Sequence, residues 1–170
     1  MERTREIALL AFGANLGDRR RTLTGARRAL ARGGEVEVRR CSRLFESEAL
    51  GGPPGQPPYL NAVLEVATAL APEELLAWCQ GIEQEFGRRR RERWGPRTLD
   101  IDILAYDGRV SHDPGLILPH PRLHLRRFVL LPLLEVAPEW RHPVSGKTVS
   151  QLVAELAAAD RIRPLAGEWG

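Results

Sequence analysis

Two aspartates two residues apart, Asp100 and Asp102, interrupt the apolar stretch Thr98–Tyr106. On a β-strand, residues at this spacing point to the same face, so both carboxylates converge on one side while Leu99, Ile101 and Ile103 fill the other. Paired carboxylates with no basic residue between them repel, and a divalent cation removes that repulsion. Magnesium prefers oxygen ligands and takes one or two carboxylates together with substrate phosphates. Taken alone, the pair reads equally well as a solvated polar strand face. Directly upstream lies Arg88-Arg89-Arg90-Arg91-Glu92-Arg93-Trp94-Gly95-Pro96-Arg97. Guanidinium forks make bidentate bonds to phosphate, and Trp94 offers a flat surface for a ring. An arginine run by itself suits a solvated loop or a nucleic-acid contact. Next to the carboxylate pair it favours magnesium-dependent phosphoryl transfer.

Other candidates are weaker. Gln80 and Glu83, three apart on an expected helix, share roughly one face and suit either a nucleotide's polar groups or solvent. His120 sits between Pro119 and Pro121 in a rigid turn. Tyr59 and Asn61 open an expected strand with same-face spacing and offer a ring and an amide. The alternative for them is an edge aromatic beside a turn-capping Asn. No Gly-x-x-x-x-Gly-Lys phosphate loop occurs, and Lys147 in Ser145-Gly146-Lys147-Thr148 reads as a turn feeding a helix cap.

The elements that must position these groups follow from periodicity and punctuation. Ile7–Phe12 is a short buried strand ending at Gly13. Asp18 caps a helix whose Leu23, Ala26 and Leu30 are helically spaced, and Gly33-Gly34 ends it. Val36–Phe45 reads as one half-exposed strand, with Val36, Val38, Ser42 and Leu44 on its inner face. Gly51–Pro58, with three glycines and four prolines, is a loop. Leu60–Ala69 forms a third strand. Pro72 opens a second helix with Leu75, Cys79, Ile82 and Phe86 on its apolar stripe. After the arginine loop comes strand Thr98–Tyr106 and an Asp107-Gly108 hairpin signal. A short helix near Phe128–Glu135 follows, then a last helix with a Thr148/Gln151 capping box. The order predicts a single α+β domain over residues 1–170, with a ferredoxin-like antiparallel sheet, helices packed on it, an extra hairpin and C-terminal helices.

Composition narrows the class. The 170 residues are 43% hydrophobic and 28% charged, which is ordinary globular usage. The longest apolar runs are too short to span a bilayer, and no apolar signal core opens the chain, so a cytoplasmic, soluble protein is expected. Cys41 and Cys79 match neither a zinc site nor a disulfide framework and are expected as reduced thiols. The net charge of +3 rests almost wholly on arginine, with Lys147 the only lysine.

Arg93-Trp94-Gly95-Pro96-Arg97-Thr98-Leu99-Asp100-Ile101-Asp102-Ile103 closely resembles the signature of the 6-hydroxymethyl-7,8-dihydropterin pyrophosphokinases of folate biosynthesis. The resemblance extends to Gly13–Gly17, to Gln56–Val63, to Leu118-Pro119-His120-Pro121 and to Phe128–Pro138. It implies transfer of pyrophosphate from ATP to the hydroxymethyl group of the pterin, with release of AMP. Asp100 and Asp102 would hold two magnesium ions. Arg88 and Arg97 would serve catalysis beside them. Arg88, Arg90, Arg93, Arg97 and Arg126 match arginines around the ATP phosphates, and Gln80, Glu83, Trp94 and His120 match nucleotide-site positions. Tyr59 and Phe128 would sandwich the pterin, Asn61 would read its edge, and Ser47, Leu50 and Trp94 would complete the pocket. ATP and a dihydropterin are the implied partners, with no nucleic acid or membrane, and a monomer is expected. Ala14, Ser47, Ala49 and Pro121 depart from the residues common in that family. The rival readings are a small RNA-binding domain using the arginine run and a different kinase that releases ADP.

Overall fold

The computed structural model describes residues 4–48, 55, 57–87, 99–158 and 161–169. Its sheet is built from β1 (Glu6–Ala14), β2 (Val36–Cys41), β3 (Phe45–Ser47), β4 (Tyr59–Thr68), β5 (Asp100–Tyr106) and β6 (Ile162–Pro164). The strand order is β5-β1-β4-β3-β6, with β2 also paired to β4, and every pairing is antiparallel. With helices α1 (Arg19–Leu30) and α2 (Pro72–Glu85) between the strands, this is the expected ferredoxin-like arrangement. Helices α3 (Arg127–Val136) and α4 (Val149–Ala154) follow the sheet's central strands in the chain.

Strand alternation divides the core in two. Ala8, Leu10 and Phe12 of β1, Ala62 and Leu64 of β4, and Ile101 and Ile103 of β5 face α1 and α2, meeting Leu23, Ala26, Leu75, Cys79 and Ile82. Leu9, Val63 and Leu104 project the other way, against Val129, Leu130 and Leu133 of α3 and Val149 and Leu152 of α4. Both ends of the helical pattern are capped as expected. Asp18 accepts the Arg21 amide, and Thr148 and Gln151 form a reciprocal capping box. At α2, Pro72 occupies the first turn, and the Glu74 carboxylate accepts the Ala71 amide at 2.8 Å.

Two expectations are corrected. Val36–Phe45 is not one strand: it bulges between Val38 and Arg40 and breaks at Ser42, leaving β2 and β3 on successive stretches of β4. At the break, the Ser42 hydroxyl accepts the Val63 amide at 2.9 Å, where a strand would offer a backbone carbonyl. The Ser42 amide still donates to the Val63 carbonyl at 3.0 Å. A side chain thus bridges the ladder where the backbone turns away, a substitution that alternation cannot reveal. The hairpin expected after Asp107-Gly108 closes only as a single bridge between Ser111 and Leu118. Strand β6 had no counterpart in the sequence reading.

Candidate functional site

The register of the central strands places the candidate residues in rows. Gly13 of β1 is paired on one side with Asn61 of β4 and on the other with Asp100 of β5. Directly paired residues point to the same face, so Asn61, Gly13 and Asp100 form one transverse row. Two residues along β1, Ala11 stands between Val63 and Asp102. The row's outer member on β4's other side is Phe45, and Ser47 pairs with Tyr59. Asp100 and Asp102 therefore share the α3 side of the sheet, as their spacing predicts. Both are partly exposed, whereas Leu99, Ile101 and Ile103 are buried on the opposite side.

Gly13 makes the row possible. A Cβ added there would lie 3.4 Å from Asn61 Oδ1 and 3.9 Å from Tyr59 Cδ1, so the missing side chain leaves a floor between the amide and the carboxylate. From sequence, Gly13 reads only as a strand end and as part of a motif. A glycine inside a strand is itself a signal for close approach of a ligand or backbone. Asn61 is 6% exposed, and its Nδ2 donates to Ser47 Oγ at 2.7 Å. That bond fixes the amide's orientation and leaves Oδ1 directed over Gly13.

Arg126, just before α3, brings the two halves of the site together. Its Nη1 lies 3.8 Å from Asp102 Oδ2, and its guanidinium carbon lies 5.6 Å from the centre of the Phe128 ring. Phe128 in turn packs on the apolar cluster containing Val63 and Leu104. His120 is half-buried, and its Nδ1 accepts the Arg122 amide at 3.1 Å, so Nε2 carries the proton. Burial holds the imidazole below its ordinary pKa. Asp102 opposes that shift, while Arg126 and Arg122 reinforce it. His120 is accordingly a neutral donor at pH 7.

Gln80 and Glu83 do not share an environment. Gln80 is exposed, whereas Glu83 is 4% exposed. Glu83 Oε2 accepts the amide of Ile101, the residue between the two aspartates, at 2.9 Å. β5 is an edge strand, and edge amides need partners. A carboxylate from α2 fills that role at Ile101, and the His120 amide binds the Leu104 carbonyl farther along at 2.8 Å. Together they tie the outer edge of β5 to α2 and to the His120 turn, on either side of Asp102.

Cys79, one helical turn before Glu83, registers the negative charge gathered here. Burial foremost, then Glu83 and Asp102, push its thiol up to about 12. A folded-state pKa above the unfolded value near 8.5 favours folding while the thiol is protonated. That contribution is complete below pH 8.5 or so and is lost as pH rises towards 12. Native alkylation at pH 8 is expected to spare Cys79 and to label the partly exposed Cys41 first, as mass mapping will show. Cys79→Ala should remove part of the alkaline loss of stability, measured by urea unfolding between pH 8 and 11.

Among the described residues, no cluster of three or more His, Cys, Asp or Glu side chains could hold a metal. Two same-face carboxylates fit an ion that completes its shell with water and phosphate oxygens, which is magnesium's habit. Of the residues predicted from sequence, the structure brings together Ser47, Tyr59, Asn61, Asp100, Asp102, His120, Arg126 and Phe128 around one end of the sheet. Leu50, Arg88, Arg90, Arg93, Trp94 and Arg97 lie outside the described residues. A cleft of about 540 Å3 lined by Ile7, Arg40, Glu65, Asp107 and Trp140 lies at the other end of β1 and β5 and includes none of the candidates. No helix among the described residues is long and apolar enough to cross a membrane.

Comparison with known proteins points the same way. Residues 9–138 match the family model described as 7,8-dihydro-6-hydroxymethylpterin-pyrophosphokinase (HPPK). The chain is similar to the 2-amino-4-hydroxy-6-hydroxymethyldihydropteridine pyrophosphokinase of Synechocystis, 44% identical over 88% of this chain and 75% of the relative. It is 42% identical to the Bacillus subtilis enzyme of the same name, over 78% and 79% of the two chains. Among solved structures it resembles an HPPK-DHPS chain in complex with substrates, with a TM-score of 0.68 and 15% identity over 89% of this chain. A Plasmodium falciparum HPPK-DHPS chain with pteroate superposes with a TM-score of 0.69 at 16% identity. This protein spans 43% of each of those longer chains, and the likeness concerns the fold.

Proposed function

The chain belongs to the 7,8-dihydro-6-hydroxymethylpterin-pyrophosphokinase family, and from that premise we propose that it transfers pyrophosphate from ATP to the hydroxymethyl group of 6-hydroxymethyl-7,8-dihydropterin in folate biosynthesis. The hydroxymethyl oxygen attacks the β-phosphorus, the bond from that phosphorus to the α,β-bridging oxygen breaks, and AMP leaves while the hydroxyl proton passes to solvent. The observation that carries this reading is the row Asn61–Gly13–Asp100. It sets an amide that reads a heterocycle's edge and a carboxylate that serves the phosphates about two strand spacings apart, roughly 10 Å, across a floor with no side chain.

Each residue has a task in this reading. Tyr59 and Phe128 take the two faces of the pterin ring, and Asn61, held by Ser47, offers Oδ1 to the ring's N–H groups. Arg126 releases its loose contact to Asp102 and turns to the triphosphate, with neutral His120 donating from Nε2. Leu50 and Trp94 close the pterin pocket, while Arg88, Arg90, Arg93 and Arg97 surround the ATP phosphates. Gln80 remains a nucleotide contact at the exposed face of α2, with Glu83 behind it. Asp100 and Asp102 are the residues that would hold two magnesium ions, which neutralise phosphate charge when bound. The reaction needs alignment and charge neutralisation more than a protein nucleophile. A monomer in the cytoplasm with reduced cysteines completes the proposal.

Incubation with ATP, magnesium and the pterin alcohol is expected to yield AMP and the pterin pyrophosphate in equal amounts. Release of ADP would replace this reading with transfer of a single phosphoryl group. The floor provides a separate test. Gly13→Val is tolerated by a strand but fills the space over which Asn61 Oδ1 is directed. We expect pterin affinity to fall about tenfold or more, with ATP affinity little changed, by isothermal calorimetry.

A further inference from the structure

Residues 161–169 lie beyond the stretch matched by the family model, which ends at residue 138. They are nevertheless tied closely into the sheet. β6 runs antiparallel to β3, pairing Ile162 with Ser47, Arg163 with Glu46 and Pro164 with Phe45. The Leu165 amide continues the contact by donating to the Leu44 carbonyl at 2.8 Å. The chain then crosses α1 and inserts Trp169, which is 5% exposed and donates from Nε1 to the Ser42 carbonyl at 2.8 Å. Three residues on one face of α1 hold this passage. Arg20 donates to the carbonyls of Ala166 and Glu168 at 3.2 Å, and Thr24 Oγ1 donates to the Trp169 carbonyl at 2.6 Å. Arg27 lies 5.4 Å over the indole. The spacing 20, 24, 27 is that of a single helical stripe.

What the segment holds is the three-residue strand β3. Without β6, β3 would be a short edge strand paired only to β4, the kind of element that frays. Yet β3 carries Ser47, whose hydroxyl accepts the Asn61 amide. A second path runs through Glu46. Its carboxylate binds Arg163 Nη2 at 2.9 Å and lies 3.5 Å from Arg19 Nη1. The same Arg19 nitrogen donates to the Pro58 carbonyl at 2.6 Å, immediately before Tyr59. The segment therefore reaches Ser47, which holds the Asn61 amide, and the backbone immediately before Tyr59, and neither path passes through Asp100 or Asp102.

We propose that residues 161–169 form a strap that positions Ser47, Asn61 and Tyr59, making pterin recognition depend on a part of the chain outside the stretch shared with the family model. The inference rests on the assignment of Asn61 and Tyr59 to the pterin. Trp169→Ala in the full chain is expected to raise KM for the pterin alcohol about fivefold, with KM for ATP within about twofold of the parent. Trp169→Phe, which keeps most of the packing, should restore most of that loss. Arg163→Glu is an exposed change that sets like charges against Glu46, so it keeps the test alive if Trp169→Ala does not fold. It should shift the same constant in the same direction. Asn61→Ala serves as the control for the pterin assignment. If Asn61→Ala raises the pterin KM while folded strap variants lower only the melting temperature, the strap is a structural brace and the proposal is overturned. If Asn61→Ala leaves the pterin KM unchanged, the assignment of the site itself fails.

Discussion

Asp102→Asn is expected to lower the turnover rate by about two to three orders of magnitude, with the fold retained. The carboxylate is one of a same-face pair on β5, partly exposed, and lies 3.8 Å from the Arg126 guanidinium. A contact that long at an exposed side chain adds little to stability. Folding thus has little to lose when the charge is removed, and relief of repulsion from Asp100 offsets that loss. In the proposed site, catalysis would lose a ligand for the ion that shields the polyphosphate. Melting temperature and steady-state rate, measured on the same preparation across a magnesium titration, should separate the two effects. A variant with near-normal turnover at saturating magnesium would remove Asp102 from the site. Asp100→Asn should behave alike, since its side chain leaves the neighbouring row on the same face.

Glu83→Ala is expected to do the opposite, costing both stability and rate. Its carboxylate is buried and accepts the Ile101 amide on the free edge of β5. Truncation leaves a buried amide without that acceptor, a loss of about 1–3 kcal/mol. It also frees the edge at the residue between Asp100 and Asp102, which the proposed function makes metal ligands, and misplacement of such groups by an ångström is enough to slow a reaction at least tenfold or so. Glu83→Gln keeps an acceptor of the same length, so it should recover most of the stability. Urea unfolding and turnover of both variants would check this. If Ala and Gln lost the same stability, the bond to Ile101 would not be what Glu83 contributes. If both were stable but bound ATP poorly, Glu83 would act on the nucleotide directly.

Much of this molecule was legible from its residues, and the reasons are physical. Asp18 before an apolar helical stripe, and Thr148 three before Gln151, are local signals satisfied by local bonds. The common face of Asp100 and Asp102 follows from strand geometry alone. What escaped depends on contacts between distant segments. The break at Ser42 exists because a hydroxyl meets the amide of Val63, and the two are 21 residues apart. Gln80 and Glu83 sit three apart, yet only the packing of α2 on β5 makes one exposed and the other buried. β6 has three residues and ends in proline, so it carries no alternation, and its anchor Trp169 is recognisable only once α1 and Ser42 surround it. The importance of Gly13 needed a register that places it between Asn61 and Asp100.

That register also decides what can vary. The separation between Asn61 and Asp100 is spanned by β1, and it is counted in inter-strand hydrogen bonds, whose length is fixed by peptide chemistry. Substitutions in the two cores can reseat α1, α2, α3 or α4 on the sheet, but no side chain sets this interval. Where the ruler crosses the site, its graduation mark is a glycine, which has no side chain to exchange. If Asn61 and Asp100 serve the two substrates as proposed, the distance between those substrates is insulated from changes in the surrounding sequence. Changes in which ring is accepted should then arise at the walls, in residues such as Tyr59, Phe128 and the strap-held Ser47, while the interval between donor and acceptor stays constant.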